Sequence, residues 1–156
     1  MLLVSAQGCK ERLMTEFRLD QFLPYQMAVL AGRLSRGLAR IYEERFGLSI
    51  ADWRVLAHLH DAGTCSVREI HLQADMEKSR VSRAVTRLEE RGLVERTADS
   101  SDKRLLRLTL STAGADMVAE ILPLALEYEA KVMTQISDAD TFRTALDAAI
   151  AATDPD

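Results

Sequence analysis

Four arginines recur at three- and four-residue intervals between residues 78 and 91: Arg80, Arg83, Arg87 and Arg91. At about 100° per residue these four side chains share one side of a helix. Four apolar residues fall together on the adjoining side: Val81, Ala84, Val85 and Leu88. Ser79 and Ser82 lie at the start of the same helix, where hydroxyl and backbone N–H groups can meet phosphates or base edges. The spacing predicts a helix with one core face and one cationic face suited to nucleic acid.

The charge of the chain is distributed unevenly. The formal net charge is −4, from 20 Lys or Arg and 24 Asp or Glu, and this value alone argues against a nucleic-acid partner. Residues 78–107, however, have a net charge of +4, which leaves −8 for the rest of the chain. A local patch can bind phosphates whatever the global charge, because salt confines each field to roughly 8–10 Å. The alternative interpretation is a solvated helix with charges of both signs.

After Gly92 the spacing of the apolar residues changes from a helical period to an alternation of every second residue. Residues 93–98 predict a strand, residues 99–103 a turn and residues 104–110 a second strand. Three leucines of the second strand share one face: Leu106, Leu108 and Leu110. This alternation is typical of a half-buried hairpin.

The tip of the hairpin carries Asp102, Lys103 and Arg104. An acid next to an arginine can orient the guanidinium for insertion into a narrow minor groove, where the negative potential is strongest. An ordinary polar turn is the alternative. Two short helices followed by such a hairpin form a winged helix-turn-helix, whose second helix enters the major groove of DNA. We therefore expect double-stranded DNA as the partner of both the helix and the hairpin.

Three helices are predicted before the arginine-rich one, over residues 22–46, 49–63 and 66–73. The second and third each begin with a capping pattern, a serine followed three residues later by an acid: Ser49 with Asp52, and Ser66 with Glu69. After the hairpin, a long helix is predicted from Ser111 or Thr112 to about Gln135. Pro123 should kink or split that helix, and Ser137 with Asp140 should begin the last one.

Length and composition limit the remaining classes. At 156 residues, with 47% hydrophobic and 28% charged residues, the chain is about one ordinary domain long. Cys9 and Cys65 are too few for a disulfide framework, and no run of 18 apolar residues exists, so we expect a cytoplasmic protein with no membrane contact. No nucleophile elbow, phosphate loop or dinucleotide turn is present, so we expect no enzyme activity.

The chain resembles the family of multiple antibiotic resistance regulators (MarR) in the run KSRVSRAVTRLEERGLVERTADSSDKRLLRLTLSTAG, residues 78–114. Residues 23–36 (LPYQMAVLAGRLSR), 46–59 (FGLSIADWRVLAHL) and 121–129 (ILPLALEYE) are similar to other helices of that family. The resemblance implies a homodimeric transcription regulator, a repressor in our interpretation, that binds a pseudopalindromic operator. It implies a mainly α (α+β) fold, a winged helix-turn-helix with long N- and C-terminal dimerisation helices.

The resemblance also assigns regions and residues. Within a single domain over residues 1–156, it implies helical dimerisation regions at 16–47 and 112–156 and a DNA-binding region at 48–111. It implies DNA contacts for five residues of the recognition helix: Ser79, Arg80, Ser82, Arg83 and Arg87. It gives Asp102 and Arg104 the role of an acid–arginine pair in the wing. Lys103 stands where the family often has arginine, so we expect it to contact phosphate as a point charge.

A small, aromatic effector is the expected signal for release from DNA. Tyr25, Trp53 and His58 are candidates to line the pocket that the family keeps between its two regions, although each is equally plausible in the core or at an interface. We expect no cofactor and no metal, because the three histidines lack a ligand set with suitable spacing. Two alternatives stay open: a redox-responsive regulator that uses Cys9, and a helical adaptor that binds protein and does not read DNA.

Overall fold

The computed structural model describes residues 17–98 and 106–153. Apart from the short strand β1, its helices and strands follow the predicted order: α1 (Leu23–Phe46), α2 (Ile50–Ala62), β1 (Thr64–Cys65), α3 (Val67–Gln73), α4 (Lys78–Glu90), β2 (Val94–Ala98), β3 (Leu106–Leu110), α5 (Thr112–Met133) and α6 (Ala139–Ala152). The mainly helical winged helix-turn-helix is thereby confirmed. No helix within the described residues has the length and apolar character needed to span a bilayer.

The chain falls into two compact units, one ending at Gly37 and the other beginning at Leu38. In the first unit the rings of Phe17 and Phe22 meet edge to face, with their centroids 5.5 Å apart. The second unit contains the buried apolar core. Its completely buried side chains come from α2, α3, α4, β3 and α5: Val55, Leu56, Ile70, Val81, Ala84, Val85, Leu88, Leu108, Val118 and Ile121. Burial of each leucine, isoleucine or valine contributes about 1.5–3 kcal/mol, which fixes α4 on this core.

The hairpin belongs to a three-stranded antiparallel sheet with the order β1-β3-β2. The sequence predicts only two strands, and β1 was missed because two residues are too short to show a period. On β3, Leu108 is completely buried, whereas Leu106 remains 48% exposed. The alternating face is therefore covered at the base of the wing and open toward its tip.

Capping explains where α2, α3 and α6 begin. Both predicted capping boxes are present, Ser49 with Asp52 and Ser66 with Glu69. The expectation that Ser137 begins the last helix is wrong, because Asp138 is its N-cap and accepts a hydrogen bond from the Thr141 N–H at 3.0 Å. That bond lowers the pKa of the Asp138 carboxyl. A carboxylate at this position also complements the positive end of the helix dipole.

Helix α5 is continuous through Pro123, so the predicted split does not occur. Proline removes one hydrogen bond to the residue four positions earlier. Both Pro123 and Ala119 are exposed, and water can therefore satisfy the carbonyl left without a partner.

The start of α5 is held close to the base of the wing. Ser111 caps α5 by accepting a hydrogen bond from the Gly114 N–H at 3.0 Å, and its hydroxyl donates to the Gly92 carbonyl at 2.6 Å. Gly114 itself is buried so tightly that a Cβ atom there would overlap the Leu93 carbonyl oxygen. The glycine thus permits a close approach of two backbones.

A tight turn separates α3 from α4. Asp75 has a φ of +46°, in the left-handed region, and Met76 is buried behind it. The His71 Nδ1–H donates to the Met76 carbonyl across the turn. These contacts set the direction in which α4 leaves α3.

Candidate nucleic-acid interface

Helix α4 separates a completely buried face from an exposed face. Its buried residues are the four predicted ones, Val81, Ala84, Val85 and Leu88. Ser79, Arg80, Ser82 and Arg83 are all exposed at or near the beginning of the helix. The N-cap Glu77 makes no side-chain capping hydrogen bond, so the first N–H groups are not covered by it. This end of α4 can therefore meet an anion with side-chain and backbone donors together.

We call Lys78–Arg83 the open end of α4. Its three cations are Lys78, Arg80 and Arg83, and each side chain is exposed. Within residues 17–98 and 106–153, none of these three makes an ion pair or hydrogen bond through its side chain. Their charges are thus available to an external partner.

We call Arg87–Arg91 the anchored end of α4. Arg87 Nη2 donates to Asp52 Oδ1 at 2.7 Å, and it lies 3.4 Å from the Ser49 hydroxyl. The Asp52 side chain is 6% exposed and that of Arg87 47% exposed, so the pair joins a buried acid to a half-exposed base. The DNA contact expected of Arg87 stays a prediction, while its guanidinium already has a partner on α2.

Arg91 extends this anchoring by one helical turn. Its Nη2 donates to the Phe46 carbonyl at 2.7 Å and its Nη1 to the Gly47 carbonyl at 3.0 Å. These carbonyls lie at the C-terminal end of α1, where a cation also complements the helix dipole. Two successive turns of α4 are therefore tied to residues 46–52.

Ion pairs also attach both wing strands to the helix-turn-helix. Arg96 on β2 forms a bidentate pair with Glu89 on α4, at 2.8 and 2.7 Å, which raises the pKa of Arg96. Arg107 on β3 pairs with Glu69 on α3 at 2.8 Å. Hydrogen bonds from Ser66 are the main cause of the lowered pKa of Glu69. The base of the wing is thus held from two sides, whereas Asp102, Lys103 and Arg104 lie outside the described residues.

The three residues predicted to line an effector pocket have different surroundings. Trp53 is half-buried and stacks on Tyr42, with the ring centroids 5.8 Å apart. The His58 Nδ1–H donates to the Arg54 carbonyl at 3.0 Å. Tyr25 is 44% exposed in the unit that ends at Gly37. Trp53 therefore packs against Tyr42, and His58 forms a hydrogen bond within its own helix.

A cavity of about 360 Å³ lies elsewhere, between residues 40–45 of α1 and residues 124–131 of α5. Its lining mixes the apolar Ile41 and Leu124 with charged side chains. The acid Glu127 in this lining pairs with Lys131 at 2.7 Å, and that hydrogen bond lowers the pKa of Glu127. No group of three His, Cys, Asp or Glu side chains suited to a metal ion occurs within the described ranges.

The sequence pattern predicts only one of the two roles of Asp52. That role is the capping box, in which Oδ2 accepts from the Ser49 backbone N–H and hydroxyl. Capping leaves Oδ1 available for another donor, and Asp52 lies among the buried residues of α2. A short acid inside an apolar helix face is the signal that could have predicted a buried cationic partner.

Comparisons with known proteins connect this arrangement to transcriptional regulators. A family profile described as the MarR family matches residues 46–105. The chain is similar to the transcriptional repressor IacR of Pseudomonas putida, with 26% identity over 82% of this chain and 76% of the relative. It is also similar to the transcriptional regulator YwoH of Bacillus subtilis, with 32% identity over 62% of this chain and 70% of the relative.

Solved structures that share the fold include two MarR family regulators. A MarR/EmrR family regulator from Acinetobacter sp. ADP1 has a TM-score of 0.74 and 27% identity, covering 83% of this chain and 92% of that chain. A MarR family regulator from Silicibacter pomeroyi has a TM-score of 0.76 and 27% identity, covering 91% and 97%. The range matched by the family profile contains both the open and the anchored end of α4.

Proposed function

Because the chain belongs to the MarR family of DNA-binding transcriptional regulators, we propose that it is a homodimeric repressor of a pseudopalindromic operator. Helix α4 enters the major groove of each half-site, and the wing reaches the flanking minor groove. A small aromatic ligand releases the dimer from DNA. The description of IacR as a repressor supports the direction of regulation.

The open end of α4 is the observation that carries this proposal. Arg80 and Arg83 project from a helix whose opposite face is completely buried, and neither is engaged by the described part of the chain. A bidentate contact from one arginine to guanine supplies about 1–3 kcal/mol of discrimination between bases. Ser79 and Ser82 add hydroxyl groups to phosphates or base edges. At the wing tip, Asp102 orients Arg104 in the minor groove and Lys103 contacts phosphate.

Exposed apolar side chains support the homodimer. In the unit that ends at Gly37 they are Phe17, Leu19, Phe22 and Leu23. In the other unit α6 buries none of its residues, and Leu126 and Ile150 are each 61% exposed. Apolar surface of this extent favours burial against a second copy of the chain. Sedimentation at micromolar concentration should give a dimer, and a monomer would contradict this part of the proposal.

Tyr25, Trp53 and His58 contact this effector in the dimer. A thermal-shift screen of aromatic carboxylates and phenols tests it, because a ligand that binds the folded state raises the apparent stability. The redox alternative depends on Cys9, which lies outside the described residues. Burial raises the pKa of the Cys65 thiol, which disfavours the reactive thiolate there. If Cys9→Ser abolishes release from DNA, the redox alternative replaces the ligand-responsive one.

Selection from a randomised operator library tests the reading of DNA directly. The wild-type protein should select a sequence with two-fold symmetry. Arg83→Ala should relax the choice at one symmetric pair of positions, with a loss of about 1–3 kcal/mol in discrimination. Arg33→Ala, an exposed arginine of α1 outside this interface, is the charge-matched control and should select the wild-type sequence. DNA binding that depends on neither salt nor sequence would favour the alternative of a helical adaptor that does not read DNA.

A further inference from the structure

We propose that Asp52 and Arg87 form a positioning pair that sets the sequence specificity of α4, by fixing the helix on α2 and by withholding the Arg87 guanidinium from phosphate. The inference rests on the proposed function, since specificity requires an operator. It assigns Arg87 a role through Asp52 in place of a direct contact with DNA.

The two oxygens of Asp52 serve two different elements. Oδ2 accepts hydrogen bonds from the Ser49 N–H at 2.9 Å and the Ser49 hydroxyl at 2.7 Å. Oδ1 accepts from Arg87 at 2.7 Å. The same carboxylate therefore caps α2 and anchors α4, which are 35 residues apart in the chain at this contact.

Because Asp52 is buried and Arg87 is half-exposed, Arg87 does not readily leave Asp52 for a phosphate. The Asp52 side chain is 6% exposed, and a buried carboxylate without a cationic partner is strongly unfavourable. If Arg87 turned toward a phosphate, it would leave this carboxylate without its charge partner. The buried acid thus holds the half-exposed arginine on the protein side.

The pair lies one helical turn from the arginines that are proposed to contact bases. Arg87 follows Arg83 by one turn, a rise of about 6 Å along the helix axis. Arg91, one turn further on, is bound to the Phe46 and Gly47 carbonyls. Anchoring these two turns defines the angle at which Arg80 and Arg83 project. A shift of the anchored end therefore misplaces the base contacts of the open end, which depend on bidentate geometry.

Removal of the Asp52 charge should have a distinctive effect on binding. In Asp52→Asn the Arg87 guanidinium gains freedom to neutralise a phosphate. Each additional neutralised phosphate steepens the dependence of log K on log salt by about 0.9. Binding to any duplex then strengthens at low salt, while discrimination in favour of the operator declines.

The experiment uses the full-length protein with two duplexes of equal length, the selected operator and its shuffled sequence, at several salt concentrations. For Asp52→Asn we expect severalfold tighter binding to the shuffled duplex, a slope steeper by about 0.9 per protomer, and a roughly tenfold lower operator preference. For Arg87→Ala we expect a reduced operator preference with the wild-type slope. Ser49→Ala, which removes the capping hydroxyl but keeps both charges of the pair, should retain the wild-type slope.

Three results would overturn the inference. A slope shallower by about 0.9 per protomer in Arg87→Ala would mean that Arg87 itself neutralises a phosphate. An unchanged operator preference in Arg87→Ala would mean that the pair has no role in specificity, and this variant stays informative if Asp52→Asn fails to fold. Equal binding of both duplexes by the wild-type protein would instead contradict the proposed function, and the inference with it.

Discussion

The open and anchored ends of α4 both carry arginines on the same helix face, three residues apart in the first and four in the second, yet these arginines differ in their partners. Arg80 and Arg83 have no partner within the described part of the chain, whereas Arg87 and Arg91 bind residues 46–52. Helical spacing determines which side chains share a face. The fold determines which of them remain available to DNA, because only the anchored end lies beside the start of α2.

The basic segment has fewer available cations than its composition suggests. Residues 78–107 hold nine cations: Lys78, Arg80, Arg83, Arg87, Arg91, Arg96, Lys103, Arg104 and Arg107. Of the seven that the structure describes, four have intramolecular partners, namely Arg87, Arg91, Arg96 and Arg107. The net charge of a segment therefore overstates the number of phosphates that it can neutralise.

The largest expected effect is at Gly114, where α5 packs against the chain that leaves the anchored end. In Gly114→Ala the new Cβ would overlap the Leu93 carbonyl oxygen, so the backbone must move. We expect the free energy of unfolding to fall by about 3 kcal/mol or more, as in strongly overpacked sites. Urea denaturation monitored by circular dichroism measures this change.

Gly32→Ala provides the matched control. A Cβ there meets the end of the flexible Arg36 side chain at 3.1 Å, and alanine is favoured over glycine inside a helix. Stability should therefore be unchanged or higher by up to about 1 kcal/mol. If both variants unfold at the same urea concentration, the close approach at Gly114 does not support the anchored end.

A smaller effect should separate the two ends of α4 directly. Arg91→Ala removes two hydrogen bonds to carbonyls at the end of α1, so we expect a loss of about 1–2 kcal/mol in stability. Arg83→Ala removes no intramolecular bond among the described residues and should change stability by no more than about 0.5 kcal/mol. Thermal melts of both variants make the measurement. Equal destabilisation by the two substitutions would contradict the division of α4 into two ends.

The smallest effect concerns pH and the packing beside the anchored end. Burial is the main cause that raises the pKa of Tyr42 to about 12, against about 10 in the unfolded chain. The unfolded state therefore loses its proton first, and stability that is present below pH 10 declines as the pH rises toward 12. At pH 11 the expected loss is about 1 kcal/mol.

In Tyr42→Phe the loss of stability that comes from this tyrosine at high pH should be absent. Unfolding midpoints of the variant and the wild-type protein at pH 8 and pH 11 isolate that loss, because other titrating groups affect both proteins alike. A pH dependence identical in the two proteins would mean that the Tyr42 hydroxyl is not responsible.

Local patterns predicted the elements of this fold well. The box of Ser49 with Asp52 and the apolar face of α4 depend on residues within one or two helical turns, and the structure contains both. Asp138 replaced the expected Ser137 because two neighbouring residues offered similar capping chemistry. Strand β1 depends on its pairing with β3, a contact that no local period reveals.

The contacts of the site were less predictable, because some of them also depend on residues that are distant in the sequence. The exposure of Arg80 and Arg83 follows from the face they occupy, so the sequence was sufficient for them. The partners of Arg87 and Arg91 lie 35 to 45 residues away along the chain. Tertiary packing supplies these partners, and helical periodicity contains no information about it.

Arg91 has a further consequence for cooperativity. It is the C-cap of α4, and it also binds the last carbonyls of α1. One residue thus closes the final turns of two helices, α4 through its backbone N–H and α1 through its guanidinium, so fraying of either turn weakens the bonds that hold the other. Their amide protons should exchange with solvent as one opening unit, with a common opening free energy below that of global unfolding.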